Sequence, residues 1–383
     1  MRAIEWLDAV KRQATDARDA SGVPIRTQLR QIAEVGYVQG VGRAEYFKYR
    51  LWRPDLASAD RMSYTSQRER RHSEQLTNPR RPGEVERSKS ALIDRLERAG
   101  LPTPSLLMRV WAGPADGGAA GDVTSPAELA ERLSDVPSGG VVFKPEYGMQ
   151  GNAILVAPTA SREGIVLLSG RSLEMSELWH YLGERGPGWR VEQWIDPHPR
   201  LRALRPGATP TLRLLTLRFP EQVIVHAATL KVPRGDSGVD NLAKGNLVAA
   251  VDLASGRVGP AFEGNGRISH VRHPESGVSI EGEIIPHWDA VLEAGRRGAR
   301  TMDDSRALGW DVAVTAAGPV IIEPNRHWCE KVVQLPADRG IIHGAFIRLL
   351  HEVGGAGLLA RRRRWSKHWA ALERAALTPP STP

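Results

Sequence analysis

An α+β fold is predicted by three features of this 383-residue sequence. Helical patterns with polar breaks fill the chain up to about residue 80. Six short apolar runs bounded by turn residues follow from the middle of the chain onward, such as TLRLLTLRF at 211–219 and VIVHAATLKV at 223–232, and these are typical of strands. One helical pattern, HWDAVLEAGRRGARTM, lies between the fourth and fifth runs. Strand runs followed by a helix and a further hairpin indicate an α+β protein.

The same patterns divide the chain into five segments. A basic helical region comes first. The second segment opens on an amphipathic helix, SKSALIDRLERAG, which ends at Gly100 because Pro102 and Pro104 prevent its continuation. The third contains a glycine-bearing hairpin, the fourth most of the strands, and the fifth a basic C-terminal helix and tail. The predicted boundaries are 1–84, 85–140, 141–195, 196–350 and 351–383.

Composition indicates a globular protein with anionic partners. Hydrophobic residues make up 41% and charged residues 25%, and the net charge is +8. This charge favours nucleotides, acidic polymers, anionic membrane surfaces or nucleic acid, but the sequence has no RNA-binding aromatic signature, so nucleic acid is not expected. The single cysteine fits a reducing compartment. Because the N-terminus lacks the apolar core of a secretion signal and no apolar run reaches membrane-spanning length, we expect a cytoplasmic protein without a membrane span.

The first informative motif is VVFKPEYGMQGNAILV, at 141–156. An apolar strand ends in Lys-Pro, runs into Gly-x-x-Gly and resumes as an apolar strand, which is the pattern of a hairpin. Lys144 at the strand end has two interpretations. It is either solvated, or it supplies a point charge to phosphates over which Gly148 and Gly151 let the backbone close. The motif by itself does not choose between them.

The second motif is GWDVAVTAAGPVIIEPN, at 309–325, in which two apolar strands flank a short turn. Symmetry about Ala317 places Asp311 opposite Glu323, and the period of two along a strand returns Asn325 to the same face. Opposed carboxylates repel each other, whereas carboxylate oxygens suit Mg²⁺. The alternative is that these are exposed edge charges, and a shift of the register by one residue would separate them.

Histidine and cysteine offer no competing site. The histidines lie without the spacing of metal ligands, so most are expected to be surface or packing residues. Cys329 follows His327 closely, but adjacency in sequence is not the geometry of a nucleophile and its base. We expect Cys329 to be a small buried residue.

In their order along the chain, these motifs resemble the ATP-grasp proteins. The helix SKSALIDRLERAG is followed by VVFKPEYGMQGNAILV, VEQWI, TLRLLTLR, VDNLAKGN and GWDVAVTAAGPVIIEPN. Over roughly residues 85–350 the sequence is most similar to the sugar-transfer-associated, or α-L-glutamate-ligase-related, ATP-grasp group. The resemblance implies an ATP-grasp fold, in which two α+β subdomains clamp ATP, with an N-terminal helical region in front of it.

The resemblance also implies roles for individual residues. Lys89 and Lys144 would face the ATP phosphates, and Gly148 and Gly151 would form the loop over them. Arg213 would lie beside the transferred phosphate or the acceptor carboxylate. The other implied positions are a hinge whose backbone pairs with adenine, with a polar side chain near the ribose (Glu192, Gln193, Trp194 and Ile195), and the Mg²⁺ ligands Asp311, Glu323 and Asn325.

The segment VDNLAKGN resembles the Asn-x-x-x-Gly-Gly of the family. Asn241 and Gly245 are in place, and Asn241 is carried over as a catalytic residue, but Asn246 stands where a second glycine is expected. Lys231, at the end of a strand, is a candidate phosphate contact, although a solvated lysine explains it equally well.

The function implied by the resemblance is that of an ATP- and Mg²⁺-dependent carboxylate–amine ligase, which forms an amide bond through an acyl phosphate. Its substrates would be an amino acid together with a saccharide precursor or an acidic peptide, and the sequence leaves an oligomer open. Two alternatives remain at this point: an ATP-dependent phosphotransferase, and a non-catalytic protein that binds nucleotides or polyanions.

Overall fold

The computed structural model describes residues 2–79, 88–114, 118–136, 139–147, 153–235, 242, 245–266 and 268–378, with side chains from residue 10 onward. Three predicted site residues, Gly148, Gly151 and Asn241, lie outside the described residues. In the described part of the chain, no helix combines the length and the apolar character needed to cross a membrane.

The N-terminal region is helical, as its sequence predicted. Its helices are α1 (Arg2–Ser21), α2 (Ile25–Gln39), α3 (Arg43–Lys48), α4 (Ser58–Arg61) and α5 (Gln67–Thr77). Tyr46, Tyr49 and Tyr64 are buried and share a core with Phe262 and Leu335 from the C-terminal half of the chain. The region is therefore packed onto the rest of the protein.

A four-stranded antiparallel sheet forms a small unit. In spatial order its strands are β1 (Leu106–Trp111), β7 (Gly188–Gln193), β2 (Val141–Pro145) and β3 (Leu155–Ala157). The same unit contains a sheet of three short strands, β4 (Thr159–Ser161), β5 (Gly164–Val166) and β6 (Ser172–Glu174), and two helices, α7 (Pro126–Ser134) and α8 (Met175–Arg185). Both helices bury leucines in the core beneath the larger sheet of this unit.

A seven-stranded antiparallel sheet forms the larger body. In spatial order its strands are β12 (Ser269–His270), β11 (Val258–Phe262), β10 (Leu247–Val251), β9 (Val223–Val232), β8 (Thr211–Arg218), β13 (Ala307–Thr315) and β14 (Gly318–Asn325). Its helices are α6 (Lys89–Arg98), α9 (Pro199–Arg202), α10 (Trp288–Arg300), α11 (Glu330–Ala337), α12 (Gly344–Glu352), α13 (Ala356–Trp365) and α14 (Lys367–Leu377). The predicted α+β class is confirmed.

The position of the predicted boundary between residues 140 and 141 lies inside the small unit. Strand β1 before it and β2 after it both pair with β7, and Val110 and Phe143 share one core. Helix α6 also departs from its predicted segment, because Ile93 and Leu96 are buried in the core of the large sheet. Residues 85–140 therefore contribute to two different packed units.

The faces of the large sheet differ because strand side chains alternate in direction. Leu212 and Leu214 of β8 enter a core shared with α6 and α10. Leu215 and Leu217, which point to the opposite face, pack in a separate core with α12 and α14. Arg213 stands out among these leucines as a buried charged residue in the middle of an apolar strand.

Candidate active site

A buried ionic cluster occupies the end of β2 in the small unit. Lys144 on β2 pairs with Arg190 on β7 across the ladder. The carboxylate of Glu192 contacts both of these positive side chains. The Lys144 Nζ lies 2.6 Å from Glu192 Oε2, and the Arg190 Nε donates to Glu192 Oε1 at 2.6 Å. Lys144 is therefore not the solvated lysine of the first interpretation. The Glu192 side chain is paired with these two cations. In the predicted adenine hinge, Glu192 would therefore contact adenine through its backbone.

The beginning of α6 is attached to the end of β2. The Lys89 Nζ donates to the Pro145 carbonyl at 2.8 Å, and Ser90 donates from its backbone nitrogen and its hydroxyl to Glu146 at 3.0 and 2.8 Å. Burial lowers the pKa of Lys89, while the nearby carboxylate of Glu323 opposes that effect. These contacts hold Lys89 at the end of the strand that carries Lys144, and the predicted role of both lysines at ATP phosphates stays a prediction.

Backbone groups in the predicted adenine hinge are partly engaged within the protein. The amide of Gln193 donates to Ser105 and that of Trp194 to Gly140, both at 3.0 Å. The carbonyl of Ile195 accepts from the Thr209 hydroxyl at 2.9 Å. Among the residues that the structure describes, the Ile195 amide has no acceptor. The adenine contact stays a prediction, and the Ile195 amide is the donor left for it.

The carboxylate hairpin brings its predicted pair together through a β-bulge. Near the turn, Thr315 pairs with Gly318, so the ladder is centred between Ala316 and Ala317. This centre lies half a residue before the predicted one at Ala317. The register then shifts between Val312 and Asp311, so that Asp311 stands opposite Glu323. Without this bulge, the ladder would separate the two carboxylates by the single-residue offset that the sequence analysis considered.

Asp311 is buried at the centre of a cationic network. Arg213 on the neighbouring strand donates to both carboxylate oxygens, at 2.8 and 3.1 Å. The Lys231 Nζ lies 3.0 Å from Oδ1, and the Asn325 amide donates to Oδ2 at 3.3 Å. Burial alone would raise the pKa of Asp311, but Arg213 and Lys231 lower it to about 2. Asp311 is therefore ionised at neutral pH, and Lys231 is a buried lysine with a carboxylate partner, not a solvated one.

Gly309 gives Arg213 the space for this contact. A Cβ atom at Gly309 would lie 2.9 Å from the Arg213 Cδ and 3.2 Å from the Trp328 Cα. Gly309 also pairs with Asn325 across the hairpin, so its missing side chain leaves that face of the ladder to Asn325 and Arg213.

Glu323 lies between the two units. It is half-buried, and burial together with the negative charge of Asp311 raises its pKa. The positive charges of Lys144, Lys231 and Arg213 lower that pKa, and Lys89 is also within electrostatic range. Lys144 of the small unit and Lys89 of α6 therefore both lie near Glu323 of the large sheet.

The donor set fits a magnesium ion. Two opposed carboxylates and an adjacent amide are hard oxygen ligands, and Mg²⁺ commonly takes one or two carboxylates and completes its shell with water and phosphate oxygens. Burial and the charge of Asp311 raise the pKa of Glu323, and a cation between the two carboxylates would oppose both effects. No group of three or more His, Cys, Asp or Glu side chains suited to a metal occurs among the described residues. A dedicated all-protein metal cage is thus not formed there.

Asn246 departs from the family pattern without straining the backbone. Its side chain is buried and its Oδ1 accepts a hydrogen bond from the Arg234 amide at 2.7 Å. Gly245 has a φ of +88°, whereas Asn246 is not among the described residues with positive φ. The turn therefore requires a glycine at 245 and accepts an asparagine at 246.

Three site features were missed in the sequence. Arg190 belongs to none of the motifs, but the two charged residues within the strand GWRVEQ could have indicated a buried ion pair. Helix α5 reaches the loop after Asn325, where Glu74 lies 2.9 Å from His327. The prediction that Cys329 is buried is wrong, because it is half-buried and has a φ of +56°. Nothing in the sequence pattern signals a contact between α5 and a loop more than two hundred residues later.

Sequence comparison identifies the class of protein that this fold and site belong to. The model of the sugar-transfer associated ATP-grasp family matches residues 68–347, and the chain belongs to this family. The match begins in α5, so that helix lies within the family region. No curated protein sequence matches the chain.

Solved structures with a similar arrangement include three ligases. The L-amino acid ligase from Bacillus licheniformis is 13% identical, with 63% of this chain and 40% of that chain covered and a TM-score of 0.33. The D-alanine–D-alanine ligase from Bacillus anthracis is 13% identical, with coverages of 72% and 69% and a TM-score of 0.38. The ATP-grasp ligase PsnB, complexed with a variant of its minimal precursor, Mg and ADP, is 14% identical, with coverages of 74% and 60% and a TM-score of 0.34. The chain spans less than half the length of the first of these.

Proposed function

We propose that this chain is an ATP- and Mg²⁺-dependent ligase that joins a carboxylate to an amine. One observation carries the proposal: Lys89 and Lys144 of the phosphate-facing edge act on Glu323, which the hairpin pairs with Asp311. Cations on one side and oxygen ligands on the other are the two halves of a clamp for a nucleotide triphosphate and its metal. Membership of the ATP-grasp family supports this assignment.

The two lysines would bind phosphate oxygens. Lys144 is paired with Glu192 in the structure, and Arg190 shares that carboxylate at the same distance of 2.6 Å. If Lys144 turns toward a phosphate, Arg190 still neutralises Glu192, so no buried charge is left alone. This arrangement lowers the cost of moving Lys144 between its two partners.

Asp311, Glu323 and Asn325 would hold Mg²⁺, which would supply positive charge to the phosphate oxygens of the nucleotide. Arg213 and Lys231 already contact Asp311 through its two oxygens. They keep the carboxylate ionised, as a metal ligand must be. They would also supply positive charge to the transferred phosphoryl group.

The proposed reaction has two steps, phosphorylation of the carboxylate and attack of the amine on the acyl phosphate. A carboxylate oxygen of the first substrate attacks the γ-phosphorus of ATP, the bond to the β-phosphate oxygen breaks, and ADP leaves. The amine nitrogen of the second substrate then attacks the acyl carbon, inorganic phosphate leaves with the bonding pair, and the nitrogen loses a proton. Arg213 and Lys231 would stabilise negative charge in both steps. The description of the family favours a saccharide-linked carboxylate or amine as one substrate.

The test is ADP release from the purified protein with Mg²⁺-ATP, in the presence of pooled amino acids, uronic acids and short acidic peptides. Hydroxylamine is added to intercept an acyl phosphate as a hydroxamate. We expect ADP formation that depends on one class of carboxylate and that yields the matching hydroxamate. Glu323→Gln and Lys144→Met should abolish both products, whereas Lys367→Met, which changes an exposed lysine on α14, should not.

Two other outcomes would overturn the proposal. A phosphorylated product without hydroxamate would identify a phosphotransferase. Tight binding of ADP, together with no ATP turnover in the presence of any substrate class, would support a non-catalytic role.

A further inference from the structure

Helix α5 of the N-terminal region contacts the loop that follows the carboxylate hairpin, residues 326–330. The Arg70 guanidinium forms ion pairs with two carboxylates at 2.5 Å each, Glu74 one turn further along α5 and Glu330 at the end of the loop. The other oxygen of Glu74 lies 2.9 Å from the His327 Nδ1. Arg70, Glu74 and Glu330 are all nearly fully buried. Helix α5 thus contacts both ends of the loop, through Arg70 at Glu330 and through Glu74 at His327.

The C-terminal end of α5 is attached to the same hairpin at its other strand. The Asn78 side chain hydrogen-bonds to the backbone at the start of β13. Its amide nitrogen donates to the Ala307 carbonyl at 2.8 Å. Its oxygen accepts from the backbone amides of Arg306 and Ala307 at 3.0 and 3.2 Å. Arg326 donates in turn to the Asn78 carbonyl at 2.9 Å. The start of β13 and the loop after β14 are therefore both fixed by α5.

On its opposite side the loop contacts the catalytic arginine of the proposed function. The Arg213 Nη1 donates to the Trp328 carbonyl at 3.4 Å. Cys329, the next residue, has φ +56° and ψ +97°. A residue with a side chain adopts such a conformation only when its surroundings impose it. Cys329 lies between Trp328, whose carbonyl accepts from Arg213, and Glu330, which pairs with Arg70.

We infer that Arg70 is a positioning residue of the active site, which holds the loop 326–330 so that the Trp328 carbonyl fixes the Arg213 guanidinium beside Asp311. Arginine suits this task because Arg70 reaches the two carboxylates with different nitrogens, Nη1 beside Glu74 and Nε beside Glu330, whereas a lysine has a single ammonium. Helix α5 is by this inference a part of the catalytic site. The inference rests on the proposed function for the role of Arg213, whereas the placement of the loop by Arg70 can be measured without any substrate.

Cys329 provides the measurement, since it is the only cysteine of the chain and lies within the loop. The rate at which its thiol reacts with the aromatic disulfide dithionitrobenzoate reports how often the loop opens. We expect Arg70→Met to raise this rate by about tenfold or more. The control is Arg61→Met on α4, an arginine of similar burial that donates to the Leu51 and Leu56 carbonyls. This variant should lose stability but leave the thiol rate within about twofold of the parent.

The inference is overturned if Arg70→Met leaves the thiol rate unchanged, or if both variants raise it equally, because the effect would then be one of general stability. Should Arg70→Met fail to fold, Arg70→Lys and Glu74→Gln carry the same test, and each should raise the rate by a smaller factor. In the hydroxamate assay, Arg70→Met should lower kcat more than it changes the KM for ATP. A parent protein that forms no hydroxamate would refute the proposed function, while the thiol rates still decide whether Arg70 positions the loop.

Discussion

Two carboxylates that face each other in the hairpin have opposite electrostatic environments. Asp311 is neutralised by Arg213 and Lys231 and has a pKa of about 2, whereas burial and Asp311 itself raise the pKa of Glu323. Asp311 consequently stabilises the fold, because removing it would leave two buried cations without a partner. The same two causes make the charged form of Glu323 less favourable in the folded protein.

The contrast predicts that equivalent substitutions have different effects on stability. Asp311→Asn should lower the free energy of unfolding by roughly 3–5 kcal/mol, because it breaks a buried ion pair. Glu323→Gln should leave stability unchanged or raise it slightly, since it removes a like charge directly across the ladder. Urea unfolding of both variants provides the comparison, and equal losses would contradict this account of the two environments.

Gly309 predicts a second effect at the residue scale. In Gly309→Ala, the new methyl group would meet the Arg213 side chain and the backbone of Trp328, so we expect a loss of about 1–3 kcal/mol from overpacking. Arg213 would be displaced from Asp311, and hydroxamate formation should fall with it. Gly357→Ala on α13 is the control because nothing lies within 4 Å of its Cβ position, and it should not destabilise the protein. A neutral Gly309→Ala variant would show that Arg213 has room to move.

At the scale of elements, the sequence predicted most strands of the large sheet but not how their register is achieved. The run VIVHAATLKV is β9 residue for residue, since alternation and turn residues define it locally. The pairing of Asp311 with Glu323 was predicted from a symmetric hairpin, whereas the structure reaches it through a tighter turn and a bulge. Bulges depend on packing against neighbouring strands, which a local pattern does not contain.

The packing of β9 against α12 predicts how stability depends on pH. His226 and His343 stack with ring centroids 4.4 Å apart. Burial lowers the pKa of His226 to about 4, and burial followed by the effects of His226 and Arg339 lowers that of His343 to about 2. The unfolded chain binds protons on these rings near pH 6.5 while the folded protein does not. Stability should therefore fall as the pH decreases from about 6.5 toward 4, by up to about 1.4 kcal/mol per pH unit for each ring.

Thermal unfolding across this pH range tests the prediction. His343→Asn should reduce the slope by about half because one of two rings no longer titrates. His180→Gln, which replaces a histidine exposed on α8, should leave the slope unchanged. A parent protein whose stability is level between these pH values would show that both rings are accessible to protons in the folded state.

At the scale of the whole molecule, the two basic terminal regions are joined to each other through the interior. Sequence analysis treated residues 1–84 and 351–383 as separate basic segments. Arg362 on α13 is instead fully buried, and it donates to Glu69 on α5 and to the Met62 and Tyr64 carbonyls. The run of arginines in α13 does not reveal which of them is buried. The burial of Arg362 depends on its partner Glu69, almost three hundred residues away in the sequence.

A double-mutant cycle on this pair tests whether the terminal regions fold as one unit. Glu69→Gln and Arg362→Met should each cost roughly 3–5 kcal/mol, because each leaves a buried charge without its partner. The double variant should cost clearly less than the sum, with a coupling of about 1–3 kcal/mol, since neither charge then remains. Urea unfolding of all four proteins is followed by tryptophan fluorescence, to which Trp369, whose ring faces the Arg362 guanidinium, contributes together with the other tryptophans of the chain. Additive losses, or separate transitions for the terminal regions and the large sheet, would show that the pair does not join them.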